Sequence, residues 1–288
     1  MSILPQLIAN SLIAAGTYAL IALGFNLIYA ATKFFNLAHG AMATAGGYAA
    51  FFLLQSFVGI NVVLAAALGV LFAGLLGWAL DRAVYRELRK RKASNTVLLV
   101  ASLGVFTVIQ AVIAMIFTSQ FQTLSGGAAD SVYQIGGAAV TETQVIMIAA
   151  AVAIAAGLGL LLKKTLLGKE VRAVSDDEEV AKIVGINTER VIGWVFFIGS
   201  AIAGLGGILV GFDTGLQPTM GMSLLLRGVI ASIVGGVGTV YGAAAGALLL
   251  GFVENFGIWK ISGEWKDAIA FSLLIVFLVF RPQGIFKR

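Results

Sequence analysis

Long stretches without a charged side chain alternate with short polar ones along this chain. The uncharged runs cover 1–32, 34–80, 93–129, 143–162, 191–212, 214–226, 228–253 and 268–280. A helix needs about 20 apolar residues to cross the roughly 30 Å of hydrocarbon in a bilayer. Hydropathy therefore predicts membrane helices near 6–30, 37–56, 61–80, 95–118, 143–162, 191–212 and 266–281, with an interrupted segment at 223–256. The run 34–80 is too long for one helix, and Gln55, Gly59 and Asn61 mark a turn within it. The expected fold class is all-α, a polytopic membrane protein of about eight transmembrane helices built as one domain over 1–288. A signal peptide has a basic start and an apolar core of about 7–15 residues. Residues 1–32 have neither, and they read as a retained first span.

The polar stretches orient the chain. Residues 81–92 carry Arg82, Arg86, Arg89, Lys90, Arg91 and Lys92 against Asp81 and Glu87; residues 163–190 carry Lys163, Lys164, Lys169, Arg172, Lys182 and Arg190 with six carboxylates. Between them, 119–142 holds Asp130 and Glu142 but no Lys or Arg. Lys and Arg accumulate in cytoplasmic loops. This places 81–92, 163–190 and the C-terminal Arg281, Lys287 and Arg288 on the cytoplasmic side, and 119–142 outside. Residues 191–281 then start and end inside and must cross an even number of times. The segment 223–256 therefore returns to its own side or crosses twice. Gly235-Gly236-Val237-Gly238 in its middle predicts a discontinuous or re-entrant element, of the kind that marks transport pathways.

Composition narrows the function. Only 11% of residues are charged, against about 25% in a soluble domain, and mean hydropathy is +0.98. The net charge of +5 sits in loop clusters, which argues against a nucleic-acid partner and for membrane lipid. One histidine and no cysteine leave no multi-His or thiolate metal site. G-x-x-x-x-G-K-[ST] and H-E-x-x-H are absent, so neither a phosphate-cradling loop nor a metalloprotease site is expected. Gly69, Ala73 and Gly77, then Ala203, Gly207 and Gly211, then Gly242 and Gly246, form small-residue stripes suited to close helix packing. Trp194, Trp259 and Trp265 lie near span ends, as interfacial anchors do.

Residues 168–188 have their own logic. Ser175 with Glu178 three residues on reads as a capping box, and Asp176, Asp177 and Glu178 fill a first turn that favours carboxylates. Val180, Ile183 and Val184 form one apolar face and Gly185 supplies the stop. A helix over 175–185 is too short to stand alone in water. Its apolar face needs cover, either from this chain's own helix ends or from a groove on a cytoplasmic partner.

Several motifs together resemble permeases of branched-chain amino-acid ABC importers. They are Gly168-x3-Arg172-Ala173 with Ala181-x3-Gly185-Ile186-Asn187, Phe35-Asn36-Leu37-Ala38-His39-Gly40, GGVGTVYGAAAG at 235–246, and Arg281-Pro282-Gln283-Gly284. The resemblance runs nearly end to end. It implies an inner-membrane permease subunit, not itself an enzyme, that pairs with a second related permease. Two cytoplasmic ATP-binding subunits and a periplasmic or extracellular solute-binding protein complete the importer. No cofactor is implied in this chain, since ATP and Mg would be bound by the partner ATPases. Relatives that carry urea or amides share these motifs, and a stand-alone ion-coupled carrier or channel is the alternative from another class.

The resemblance implies that Gly168, Arg172, Ala173, Asp176, Asp177, Glu178, Val180, Ala181, Ile183, Val184 and Gly185 couple to the ATPases. Residues Asn36, His39, Gly40, Arg227, Gly235, Gly236 and Gly238 are the candidates for the translocation path. On the residues alone, Asn36 reads as a helix N-cap leaving backbone N–H groups that can face a substrate carboxylate. His39 either satisfies a backbone carbonyl or lies on the path. Arg227 snorkels to the outer interface or pairs with Asp213. Glu254, Lys260, Glu264, Lys266 and Asp267 read as a solvated loop before the last span.

Overall fold

The computed structural model describes residues 3–57, 59–124 and 131–286; Asp130, Lys287 and Arg288 lie outside the described residues. Helix α1 spans Ile3–Thr32 and α2 Ala38–Ser56. Helix α3 (Val62–Leu80) runs through a π-helical turn at Asp81–Tyr85 into α4 (Arg86–Lys90). Helix α5 (Asn95–Phe117) follows, then a two-stranded antiparallel hairpin of β1 (Val132–Ile135) and β2 (Ala138–Thr141). Next come α6 (Glu142–Lys164), α7 (Leu166–Asp176), α8 (Glu178–Ile183) and α9 (Thr188–Asp213). Helices α10 (Met220–Gly235), α11 (Val240–Gly257) and α12 (Lys266–Phe280) complete the chain. Each expected span is helical, and the turn at 57–61 forms where expected, with Asn61 Oδ1 accepting from the Val63 N–H at 2.8 Å.

Among the described residues, six helices are long and apolar enough to cross a membrane: Ile3–Thr32, Val62–Lys90, Asn95–Phe117, Glu142–Lys164, Thr188–Asp213 and Val240–Gly257. Helices α2, α10 and α12 are shorter or more polar. Helix α1 is enclosed by α6, α9, α10 and α11, so its residues from Tyr18 to Ile28 are buried.

Small residues let these helices meet at backbone distance. A Cβ on Gly207 of α9 would strike the Ala43 carbonyl of α2, and one on Gly246 of α11 would strike the Ala231 carbonyl of α10. Gly69 of α3 lies against Gly46 and Ala50 of α2, and Gly77 against Ser200 of α9. The stripes thus pack within the chain. Lipid gives no hydrophobic drive for helix association, so close dispersion contact is what remains.

Segment 223–256 is two helices joined by a tight turn. Gly236 and Gly238 take positive φ of 115° and 85°, which side chains resist. Asn26 of α1 latches this turn, donating from Nδ2 to the Thr239 carbonyl at 3.0 Å and accepting from the Gly238 N–H at 3.2 Å. The C-terminal tail closes it: the Ile285 and Phe286 N–H groups donate to the carbonyls of Val234 and Gly235 at 2.9 and 3.0 Å. The glycine turn therefore sits at one end of the bundle, beside Ala30, Leu162 and Arg172.

The break inside the bundle is elsewhere. After α1, residues 33–37 fold back along it, with the Phe35 ring 5.5 Å from Phe25, and α2 begins part-way up α1. Non-helical backbone at such depth must be satisfied by protein, and the start of α2 shows how. The Leu37 N–H donates to Ser102 Oγ at 2.9 Å, Ala38 N–H to Asn36 Oδ1 at 3.1 Å, and Gly40 N–H to the Leu37 carbonyl at 3.3 Å.

Candidate coupling surface and translocation path

The coupling segment is built from two helices rather than one. Thr165 caps α7 by accepting from the Gly168 N–H at 3.0 Å. A side chain on Gly168 would strike the carbonyls of Leu161 and Leu162, so the sharp α6–α7 corner requires glycine. Arg172 Nη1 donates to the Leu162 carbonyl at 2.7 Å, satisfying an end carbonyl of α6. Val171 and Val174 are buried, Ala173 is half-buried, and Ser175 Oγ donates to the Ala30 carbonyl at 2.7 Å. The hydroxyl assigned to a capping box is thus spent on α1, and no Ser175–Glu178 box forms.

Asp177 takes the capping role instead. Its backbone is extended, and its Oδ1 accepts from the Val180 N–H at 3.0 Å. Asp176 ends α7 rather than opening α8; the first turn of α8 holds Glu178 and Glu179. Glu178 pairs with Lys182 at 2.9 Å and accepts from Thr188 Oγ1 at 3.4 Å. Hydrogen bonding to Glu178 holds the Lys182 ammonium above the usual lysine range. Gly185, with φ of 90°, stops the helix as expected, and the Ile186 N–H closes on the Ala181 carbonyl at 3.0 Å.

Ala181 is buried, but among the described residues the apolar face expected to need cover stays open. Val180, Ile183 and Val184 are 54%, 83% and 68% exposed.

A polar network joins this segment to the bundle. Arg89 of α4 pairs with Asp81 at 2.8 Å and with Glu189 in the first turn of α9 at 3.4 Å; Arg86 reaches Glu189 at 3.1 Å. Residues 81–90 of this stretch are helical, ending in a turn at Arg91 and Lys92, and ion pairs from Arg86 and Arg89 tie them to Glu189 of α9. Tyr85, in the same π turn, donates from its hydroxyl to Asn36 Oδ1 at 3.1 Å. π turns recur at functional positions because they re-aim side chains within a helix.

The path candidates separate. Asn36, His39 and Gly40 are buried together at the start of α2. The N-cap position of α2 is Leu37, not Asn36, although Asn36 Oδ1 still accepts from the Ala38 N–H. The amides of residues 37–40 all have partners within the chain, so these helix-start amides do not face a carboxylate. His39 Nε2 donates to the Ile21 carbonyl at 3.2 Å, the satisfied-carbonyl reading. A Cβ on Gly40 would strike Gly221 of α10. Gly235, Gly236 and Gly238 lie away from these, at the end of the bundle that carries α7 and α8.

Arg227 of α10 does not pair with Asp213, whose Oδ1 instead accepts from Gln144 Nε2 at 2.9 Å. Arg227 reaches Asp267 of α12 at 2.9 Å, stands 4.0 Å from Glu254 and lies over the Tyr18 ring at 5.8 Å. Glu254 is fully buried in α11, where it accepts from the Tyr18 hydroxyl at 2.5 Å. The solvated-loop reading fails for Glu254 because α11 continues past it to Gly257. Its position just after the uncharged run 228–253 was the available signal.

A bundle of apolar helices bearing a capped, amphipathic two-helix segment at one end is the architecture of a polytopic membrane protein. Residues 7–278 match the family described as the branched-chain amino acid transport system / permease component, and the chain belongs to that family. It is 30% identical over 295 residues to the high-affinity branched-chain amino acid transport system permease protein BraD of Pseudomonas aeruginosa, covering 98% of this chain and 95% of that one. LivH of Salmonella typhimurium, a permease protein of the same description, is 30% identical over 305 residues, with the same coverage. In fold, the chain resembles PsaBC from Streptococcus pneumoniae in complex with Fab, with a TM-score of 0.55 at 13% identity over 96% of this chain and 92% of that one. The protein is a multi-pass inner-membrane permease.

Proposed function

We propose that the chain is the permease subunit of an ATP-driven importer of branched-chain or related neutral amino acids. In this reading α7–α8 are its contact with cytoplasmic ATPases. The observation that carries it is the uncovered face of Val180, Ile183 and Val184 on a helix otherwise capped, stopped and anchored. Segments 81–92 and 163–190 and the C-terminus then face the cytoplasm, and the β1–β2 hairpin faces out. ATP and Mg²⁺ belong to the partner subunits. Closure of those subunits would displace α8. The displacement would reach the bundle through Glu178–Thr188, then Glu189–Arg89–Asp81, then Tyr85–Asn36 at the start of α2.

Arg227 supports the second half of the proposal. An ionised side chain within a membrane faces protein or a water-filled cavity rather than lipid. The partly exposed face of α10 that carries Arg227 is accordingly assigned to the translocation path, formed with a second, related permease. A solute-binding protein would deliver to the outer end. Asn36, His39 and Gly40 act behind that path as packing and positioning residues, and the glycine turn serves the coupling end.

Replacing both Val180 and Ile183 by Asp tests the coupling half. Each side chain contributes about 1.5–3 kcal/mol when buried, so the pair should weaken ATPase association by about 100-fold or more. Pull-down of the ATPase subunits and substrate-stimulated ATP hydrolysis measure this, and undiminished hydrolysis would refute it. Uptake driven by an ion gradient in vesicles holding this chain alone would instead establish the stand-alone carrier. Competition among leucine, urea and amides for uptake would fix the solute.

A further inference from the structure

A groove of about 620 Å³ runs along the seam between α3–α4 and α9. It lies apart from the exposed face of α8 and from Arg227, though Asp81 and Glu189 of the proposed relay lie on its wall. That volume falls within the roughly 300–1,000 Å³ typical of small-molecule sites. Its walls are two antiparallel helical stripes whose chemistry changes in step. Toward the middle of the bundle lie Leu71 and Leu75 on α3 and Phe197 on α9. One layer nearer the basic end stand two exposed indoles, Trp78 on α3 and Trp194 on α9. Beyond them come Arg82 and Arg86 on one wall and Arg190 on the other.

The charges in this last layer do not cancel. Asp81 is taken by Arg89, and Glu189 by Arg86 and Arg89. Arg82 and Arg190 are exposed and supply the surplus. Arg82 is held in place by its position over the Trp78 ring, 5.1 Å from the centroid. Hydrocarbon, then indole, then guanidinium is the order in which a membrane lipid presents acyl chain, ester region and phosphate. Tryptophan favours the interfacial depth, and basic pockets between helices at a membrane surface bind anionic headgroups.

We propose that this groove is a binding site for one anionic phospholipid, with an acyl chain on Leu71, Leu75 and Phe197 and its phosphate at Arg82 and Arg190. The site stands whichever leaflet the basic end faces, so it does not rest on the coupling role of α8.

The test uses the full-length chain in vesicles of dibrominated phosphatidylglycerol or dibrominated phosphatidylcholine, with Trp259 and Trp265 replaced by Phe so that Trp78 and Trp194 report. The anionic lipid should quench at a mole fraction about 25-fold lower, about fivefold for each surplus arginine. R82Q/R190Q should abolish that preference and R82K/R190K should keep most of it. Mass spectrometry of the complete assembly extracted from membranes should find anionic phospholipid retained. Equal quenching by the two lipids would overturn the proposal, as would an assembly in which a protein subunit fills the groove and no anionic lipid is retained. The comparison of the two lipids on the unsubstituted arginines decides even if the Gln variant does not fold.

Discussion

Where α9 crosses α2, Gly207 stands against the Ala43 carbonyl with no room for a methyl group; on α8, Ile183 meets almost nothing and is 83% exposed. The two regions lie in one chain and obey different rules. In the bundle, glycines bring backbones together, and buried amides and hydroxyls such as those of Asn26 and Ser232 find their partners within the chain. In α7–α8 the backbone is equally well finished, by Thr165, Asp177 and Gly185, yet the apolar side chains are left over. A helix whose ends are closed and whose face is open is complete as a local structure and incomplete as a surface. On the proposed function, this difference is the boundary between what the chain does alone and what it does with a partner.

Substitutions on each side should separate these roles. The largest loss of stability is expected for Arg89→Ala, which leaves the buried Asp81 carboxylate unpaired between the two regions. Removing one partner of such a pair costs about 3–5 kcal/mol, to be read as a lowered thermal midpoint in detergent, and transport should fall with it. Gly207→Ala should cost about 2 kcal/mol by forcing α2 and α9 apart, with ATPase association in membranes preserved. Asp177→Ala should cost about 1 kcal/mol and only locally. Amide exchange should quicken over 178–184 while the midpoint of the bundle stays in place. A global drop in that variant would show that α8 is part of the bundle's cooperative unit, and the contrast drawn above would be wrong.

Much of this was legible in the sequence for physical reasons. Charge-free runs marked the helices because hydrocarbon excludes charge, and Gly235–Gly238 marked the turn because its backbone needs positive φ. The small-residue stripes named the packing faces. What could not be read was which of several competent groups would win a partner. Ser175 and Asp177 are both good caps, and only the approach of Ala30 from 145 residues away decides between them. Arg227 had Asp213 near it in sequence, while its actual partners Asp267 and Glu254 come from α12 and α11. The fold-back at 33–37 was hidden because its Leu37 amide and Phe35 carbonyl are answered by Ser102, on a helix far along the chain. Resemblance to the permease family carried the coupling assignment further than periodicity did, since α8 is too short for periodicity to speak.

The account turns on what covers α8. A single cysteine at Ile183, in a chain without native cysteines, can be labelled with a membrane-impermeant maleimide in inside-out vesicles. With the chain alone, labelling should be fast; with the ATPase subunits assembled, it should slow by about tenfold or more, as at a position sealed from water within an interface. Equal labelling rates in the two preparations, or labelling only from the opposite face of the membrane, would contradict the account.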